Sequence, residues 1–233
     1  MPKRPAAPSA EIEQDGCSPT ATPEPADDLH VALTELAPGT VLHRVHLIEY
    51  QADQFNPGVR GNARFSPIQD EKGKAIPTLY AGTTLPCALM ETVFHDVPHT
   101  AGFKSFDKAK LNGQVHSTVR LEVALQVVDL SSVPLRKLGV TRKQLIDTEK
   151  DQYPATRKWA MALYRQCPQA QGLFWVSRQD DTARAVVLFG DRIAEGVLQP
   201  GTSSCSLTKD AGTYDAVLDL AERIGVAIVP GKS

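Results

Sequence analysis

The clearest pattern of apolar and polar positions lies in residues 78–99, TLYAGTTLPCALMETVFHDVPH. Its first residues, LYAG, predict a short buried strand, and the pair of threonines that follows can cap a helix. Leu85, Leu89 and Val93 are spaced i, i+4 and i+8, which places them on one face of that helix. This strand–turn–helix unit is the segment around which the rest of the chain is interpreted.

Glu91 lies off the apolar stripe of the predicted helix. A helix with so few polar residues is expected to pack on several sides, so its carboxylate has two interpretations. Glu91 either faces solvent, as glutamates usually do, or it is a site carboxylate that faces Tyr80 across the strand–helix turn.

The remaining apolar patterns predict a mixture of strands and helices. Strands are predicted at 41–48, 115–130, 171–176, 185–189 and 226–229, and helices at 142–150, 154–167 and 213–224. Residues 69–75 are polar and predict a hairpin or a loop excursion, whereas residues 100–114 are expected to be mostly loop. There are no internal repeats and no regular alternation of strands with helices, so the pattern favours an α+β fold with mixed strands.

Composition limits the functional classes. The chain has 233 residues with 42% hydrophobic and 22% charged residues, which is typical of a soluble globular protein with one substantial domain. A formal net charge of −2 offers no electrostatic case for nucleic acid as the main ligand. No apolar run reaches the roughly 18 residues of a membrane span, and the first residues lack the apolar core of a secretory signal. We therefore expect a cytoplasmic protein without direct membrane contact.

Residues 1–28 are rich in Pro, Ala, Ser, Asp and Glu, and predict a disordered tail ahead of a domain at 29–233. The four cysteines are far apart, so no metal site is predicted. Cys87, in the apolar helix, is interpreted as a small buried hydrophobe. The histidines, including His116, occur singly and are interpreted as structural.

Four polar residues have open interpretations. Arg44 lies in the predicted strand 41–48, either at the sheet margin with its head in water or as an anion ligand reaching into a cleft. Arg60 and Arg64 lie in a Gly/Asn/Pro loop, which can cradle phosphate or simply carry surface charge. Ser177 follows an apolar strand and precedes a polar loop, which is a good position for entering a cleft and also a common way for a strand to end.

Five segments in order resemble the RES domain family: HRV at 43–45, GNARFSP at 61–67, LYAG at 79–82, ALMETVFHDV at 88–97 and VSRQDD…AVVLFGDR at 176–192. The resemblance spans roughly residues 36–229. It departs from the family at the loop arginine, where many members have GGRW and this chain has Asn-Ala-Arg-Phe. The aromatic residue is kept, but the backbone geometry of the loop is not implied.

The resemblance implies an ADP-ribosyltransferase-like fold, with a mixed β core and flanking helices. Many members of the family are toxins of bacterial toxin–antitoxin pairs that destroy NAD by hydrolysis or phosphorolysis, and some ADP-ribosylate a protein. By resemblance, the family's functional residues map to Arg44, Arg64, Tyr80, Glu91 and Ser177. NAD would then be a consumed substrate, with inorganic phosphate as a potential co-substrate and no resident cofactor or metal.

The chemistry of NAD cleavage suits these residue types. Breaking the nicotinamide–ribose bond develops oxocarbenium character, which a carboxylate such as Glu91 stabilises. Arginine forks suit the diphosphate, and an aromatic ring such as Tyr80 can stack on nicotinamide or wall the pocket. Ser177 would supply a hydrogen bond to Glu91 or to the nicotinamide ribose.

Three alternatives to an NAD-degrading enzyme stay open. The chain could be a mono-ADP-ribosyltransferase that modifies a cellular protein, or a catalytically inert binding subunit. The arginines and the glutamate could also form ordinary surface ion pairs. The resemblance further implies a cognate antitoxin with a helix-turn-helix DNA-binding domain, so any DNA contact would belong to that partner. Whether the chain forms a homo-oligomer is not determined by the sequence.

Overall fold

The fold is built on a large mixed β-sheet. The computed structural model describes residues 21–231. Within that range the strands are β1 (Leu33–Leu36), β2 (Val41–Leu47), β3 (Ile68–Gln69), β4 (Ala75–Ile76), β5 (Thr78–Gly82), β6 (Lys104–Asp107), β7 (Gln114–Leu121), β8 (Leu125–Asp129), β9 (Gly172–Val176), β10 (Arg184–Phe189), β11 (Leu198–Pro200), β12 (Cys205–Ser206) and β13 (Val226–Val229). The helices are α1 (Leu85–Thr92), α2 (Arg142–Leu145), α3 (Tyr153–Gln166) and α4 (Ala211–Arg223).

Nine strands form the main sheet in the order β1-β8-β9-β10-β5-β2-β7-β11, and β12 also pairs with β7. Strands β8 and β9 are parallel, and the other pairs in this sheet are antiparallel. Outside it, β6 and β13 form a parallel pair, and β3 and β4 form a hairpin that confirms the one predicted at residues 69–75. The α+β class and the mixed sheet with flanking helices are confirmed.

Buried side chains gather in three clusters around the sheet. The first joins β9 and β10 to α3, with Trp159 and Trp175 at its centre. The second lies among β2, β5, β7, β8 and β10, and contains Leu42 and Leu79. The third packs α1 and α4 against Val45 of β2. Cys87 of α1 belongs to the first cluster and Leu89 to the third, so α1 packs in two of the clusters.

The predicted strand–turn–helix unit is confirmed as β5 and α1. Thr84 caps the helix by accepting a 3.1 Å hydrogen bond from the Cys87 backbone N–H, which replaces a partner that the first turn lacks. A Cβ at Gly82 would lie 2.9 Å from Cys87 Sγ, so only glycine lets the strand approach the helix this closely. Cys87 is fully buried, as expected for a small hydrophobe.

Three predicted elements are wrong in extent. The single strand expected at 115–130 is two strands, β7 and β8, which have different neighbours in the sheet. Val123 continues the alternation through the connecting bend although it is 47% exposed, so the pattern alone hides the break. The helix expected at 142–150 is a single turn, and residues 100–114 contain β6, which is stabilised by pairing with the distant β13.

The segment at residues 21–29 lies along α3 and is not a disordered tail. Trp159 Nε1 donates a 2.6 Å hydrogen bond to the Pro23 carbonyl, and Gln166 Nε2 donates one of 2.9 Å to the Ala26 carbonyl. Lys158 and Glu24 form an exposed ion pair. We call residues 21–29 the N-terminal strap. The rest of the predicted tail, residues 1–20, lies outside the described residues.

No helix within residues 21–231 combines the length and the apolar character needed to cross a membrane.

Candidate functional site

A cavity of about 310 Å³ lies where β2 and β5 separate. The two strands pair with each other only at His43 and Gly82, whereas β2 pairs with β7 and β5 pairs with β10 along their whole lengths. Its volume is at the lower end of the range for small-molecule sites. The walls come from both strands, the loop at 60–66, the exposed end of α1, the start of α3 and residues 178–179.

The described residues give this cavity a positive lining. Four arginines and one glutamate line it: Arg44, Arg60, Arg64, Arg178 and Glu91. The whole chain carries a net charge of −2, so this local excess of positive charge is not a consequence of composition. A cavity lined this way attracts an anionic ligand.

Glu91 lies on α1 and is partly buried at the cavity wall. Its Oε1 accepts a 2.7 Å hydrogen bond from Ser177 Oγ. Glu91 is therefore not a fully solvent-facing residue. Its position on the cavity leaves the carboxylate available to a bound molecule.

Ser177 is fully buried and does not line the cavity. Its hydroxyl oxygen accepts hydrogen bonds from the backbone N–H groups of Gln179 and Asp180, at 3.0 and 3.1 Å. Arg142 Nη2 donates a 2.9 Å hydrogen bond to the Ser177 carbonyl. Ser177 therefore contacts Glu91 from the side away from the cavity.

Arg44 is 9% exposed, and its guanidinium group is not in bulk water at a sheet margin. Nη1 donates hydrogen bonds to the carbonyls of Gln51, Ala52 and Gln54, at 3.1, 2.8 and 2.8 Å. Burial lowers the pKa of Arg44 to about 10, so it remains charged at neutral pH. Arg44 thus ties the loop after β2 to the cavity while also lining the cavity itself.

Arg64 is 7% exposed and lines the cavity, and its Nε has no hydrogen-bond partner among residues 21–231. Its guanidinium carbon lies 5.6 Å from the centre of the Tyr153 ring, a cation–π contact that places the group against α3. A buried arginine without a carboxylate partner is well suited to binding an anion.

Hydrogen bonds from α3 hold the loop that carries Arg64. They define the backbone geometry of this loop, which the sequence did not predict. Thr156 Oγ1 donates a hydrogen bond to the Arg64 carbonyl, and Arg157 Nη1 donates one of 2.9 Å to Asn62 Oδ1. Phe65 is fully buried, with its ring centre 5.1 Å from that of Trp175. The aromatic residue after the arginine therefore anchors the loop in the core.

Tyr80 lies on β5 at the cavity. Its hydroxyl oxygen accepts a 2.9 Å hydrogen bond from the Phe65 backbone N–H, and its ring packs edge-on against Trp175. Burial raises the pKa of Tyr80 to about 12, so the phenol stays protonated at physiological pH. Tyr80 both walls the cavity and supports the loop that carries Arg64.

The structure thus brings four of the five predicted site residues to one cavity and places Ser177 immediately behind the carboxylate. Arg60, from the same loop as Arg64, also lines the cavity.

Sequence analysis missed a contact between two histidines. His43 Nδ1 and His116 Nε2 are 3.0 Å apart, and the two rings are parallel to within 5°. These two histidines, which were interpreted as structural, thus contact each other, and His43 also lines the cavity. Nothing local links positions 43 and 116, because their proximity depends on the pairing of β2 with β7.

His95 and Trp175 also line the cavity and were not predicted. His95 Nε2 lies 3.2 Å from Asp96 Oδ1, and Lys150 Nζ lies 2.7 Å from Asp96 Oδ2. The contacts of Asp96 with His95 and Lys150 connect the residues after α1 to the turn that precedes α3. His95 follows Glu91 by four residues, a helical spacing that offered a local signal. Trp175 had no such signal beyond its place in an apolar strand.

Comparisons with known proteins show a match to a family model and a similarity in fold to a solved structure. A family model described as the RES domain matches residues 41–210. The chain is similar in structure to a chain of the M. tuberculosis MbcT–MbcA toxin–antitoxin complex, with a TM-score of 0.57 and 16% sequence identity. The similarity covers 78% of this chain and 90% of that one, and at this identity it concerns the fold. No curated protein sequence matches the chain.

Proposed function

Because the chain belongs to the RES domain family, and because its cavity combines buried arginines with an oriented carboxylate, we propose that it cleaves the nicotinamide–ribose bond of NAD. The observation that carries this proposal is the hydrogen bond from Ser177 to Glu91 at the wall of an arginine-lined cavity. We further propose that the chain acts as the toxin of a toxin–antitoxin pair.

The proposed step needs one well-placed carboxylate. As the bond between C1′ and the ring nitrogen breaks, its electron pair moves to that nitrogen and neutralises the positive charge of the pyridinium. Positive charge develops on the ribose, where a carboxylate stabilises the oxocarbenium-like transition state. Ser177 holds Glu91 Oε1, so Oε2 can accept a hydrogen bond from a ribose hydroxyl. Nicotinamide leaves as a neutral molecule, so no strong acid is required.

The arginines would hold the other half of the dinucleotide. A diphosphate carries negative charge, and guanidinium groups bind it through pairs of N–H donors. Arg64 is buried and its Nε has no hydrogen-bond partner in the described part of the chain, and Arg44 is fixed by three carbonyls. Both groups are therefore already oriented before a ligand binds, which reduces the entropic cost of binding.

The product of the reaction identifies the acceptor of the ADP-ribosyl group. Attack by water gives ADP-ribose and releases a proton, whereas attack by a phosphate oxygen gives a phosphorylated ADP-ribose. Attack by a protein side chain gives ADP-ribosylated protein. Incubation with NAD in the presence and absence of inorganic phosphate, followed by mass spectrometry of small molecules and protein, separates these three outcomes.

The partner in this proposal is an antitoxin that blocks access to the cavity. The similarity in fold to a chain of a toxin–antitoxin complex supports this part of the proposal. By family resemblance, a helix-turn-helix domain on that partner would contact DNA. Expression of the chain alone should arrest growth and lower cellular NAD, and Glu91→Gln should remove both effects.

The central test is NAD consumption by the purified protein. Loss of the transition-state interaction in Glu91→Gln should lower kcat by about 100-fold or more. Glu195→Gln is a matched control, because Glu195 is exposed and does not line the cavity. Full activity in Glu91→Gln would remove Glu91 from the mechanism, and a wild-type protein that leaves NAD intact would contradict the proposed function.

A further inference from the structure

Three residues that line the cavity each have a buried polar atom without a hydrogen-bond partner in the described part of the chain. The atoms are Arg64 Nε, His95 Nδ1 and Trp175 Nε1. Such atoms are uncommon in native proteins, and each calls for an explanation, such as local strain, a functional role, or an ordered water or ion. Arg64 is accounted for by an anionic ligand, but the Trp175 donor has no role in the function proposed above.

The indole of Trp175 is rigidly held. The residue is 1% exposed, and the rings of Phe65 and Tyr80 pack against it at centroid distances of 5.1 and 6.2 Å. Both contacts are close to perpendicular, at 73° and 76°. An indole N–H can only donate a hydrogen bond, so the missing partner is an acceptor.

Trp159 offers an internal comparison. It is buried to a similar degree, but it does not line the cavity, and its Nε1 donates a 2.6 Å hydrogen bond to the Pro23 carbonyl. The fold therefore satisfies the indole of Trp159, whereas the indole of Trp175, which lines the cavity, has no hydrogen-bond partner within residues 21–231. This difference is expected if the partner of Trp175 is a bound molecule.

Trp175 also lies close to the carboxylate anchor. It is two residues before Ser177, so the two side chains lie on the same side of the strand end, about 7 Å apart along the backbone. Across the sheet Trp175 pairs with Ala185, which lines the cavity as well. Trp175 and the carboxylate that Ser177 holds therefore line the same cavity.

We propose that Trp175 is a specificity-determining residue whose Nε1–H donates to the carboxamide oxygen of nicotinamide. The inference rests on the proposed function, because it assumes that the ribose next to Glu91 carries a nicotinamide ring. A neutral donor among aromatic rings suits an uncharged carbonyl oxygen, whereas the arginines suit the phosphates. A pyridine ring without the carboxamide would leave the donor unpaired.

The first test uses nuclear magnetic resonance on the full-length ¹⁵N-labelled protein and requires no catalysis. The chain has two tryptophans, so two indole N–H signals are expected, and Trp159→Phe assigns them. Nicotinamide should move the Trp175 signal downfield and leave the Trp159 signal in place, and pyridine should not produce the downfield shift. An unmoved Trp175 signal, or an equal shift with pyridine, would overturn the inference.

The second test compares kcat/KM for NAD with that for the dinucleotide in which pyridine replaces nicotinamide. Trp175→Phe keeps an aromatic ring and removes the donor. It should lower kcat/KM for NAD by up to about 10-fold and leave the value for the pyridine dinucleotide unchanged. An equal loss on both substrates would show a purely structural role and reject the inference, as would no loss on NAD. A wild-type protein inactive on NAD contradicts the proposed function instead, and the titration with nicotinamide then still decides the role of Trp175.

Discussion

Ser177 Oγ donates a 2.7 Å hydrogen bond to Glu91 Oε1 and so joins residues 86 positions apart in the chain. The direction of this bond is fixed by the rest of the environment. Two backbone N–H groups, from Gln179 and Asp180, donate to the same hydroxyl oxygen, so its single proton is left for Glu91. The serine therefore orients the carboxylate.

Removal of this hydroxyl should lower turnover without preventing binding. Ser177→Ala leaves Glu91 free to rotate, and loss of a hydrogen bond to a charged group should reduce kcat for NAD by about 10-fold or more while KM changes little. Steady-state kinetics measure both, and Ser203→Ala is a control at an exposed serine.

A double variant separates this orienting role from a general loss of structure. If Ser177 acts through Glu91, Ser177→Ala should cost far less in a Glu91→Gln background than in the wild type. Additive losses in the double variant would show that the two residues act independently.

Arg64 should dominate the affinity for the dinucleotide. Arg64→Met removes a buried cation and should weaken NAD binding by about 10- to 100-fold. Arg64→Lys should restore only part of it, because lysine keeps the charge but loses the planar pair of donors. Calorimetry in a Glu91→Gln background measures affinity without turnover. Arg136→Met, at an exposed arginine, is the control, and an unchanged Kd in Arg64→Met would exclude the proposed contact.

The histidine pair predicts that stability falls in mild acid. Burial lowers the pKa of His116 to about 4, with His43 and His46 adding to the effect, and burial also lowers the pKa of His43. The ordinary histidine value is 6.5, so between about pH 6.5 and 4 the unfolded chain binds more protons than the folded one. The free energy of unfolding should therefore decrease as the pH falls through this window.

Urea unfolding at a series of pH values measures the slope of the unfolding free energy against pH. His116→Gln should make it shallower, and the lowered pKa of His43 and His46 should preserve part of it. His99→Gln, at an exposed histidine, should leave the slope unchanged. A slope that is the same in His116→Gln and in the wild type would contradict the prediction.

The N-terminal strap should stabilise α3 and, through it, the loop that carries Arg64. Trp159→Phe removes the hydrogen bond to the Pro23 carbonyl and should lower the free energy of unfolding by about 1 kcal/mol. Limited proteolysis should cut residues 21–29 faster in this variant. Lys158→Gln, which removes only an exposed ion pair, should have a smaller effect on stability. Unchanged proteolysis in Trp159→Phe would show that the strap is held by other contacts.

Local sequence pattern was sufficient for β5 and α1, because a capping threonine, an early proline and an apolar stripe act within one or two turns of helix. It was insufficient for residues 115–130, where the same alternation runs through two strands that pair with different partners. The strand β6 was missed for a similar reason, since it is stabilised by a neighbour more than a hundred residues away.

The candidate site likewise combines features that were predicted from the sequence with features that depend on the tertiary structure. The resemblance to the RES domain family selected Arg44, Arg64, Tyr80 and Glu91, and the chemistry of the proposed reaction calls for the same residue types: cations, a ring and a carboxylate. Their meeting at one cavity depends on the separation of β2 from β5, and the unpartnered indole of Trp175 depends on packing around it. Both are long-range properties of the sheet, and short-range preferences along a chain carry no information about which distant strands become neighbours.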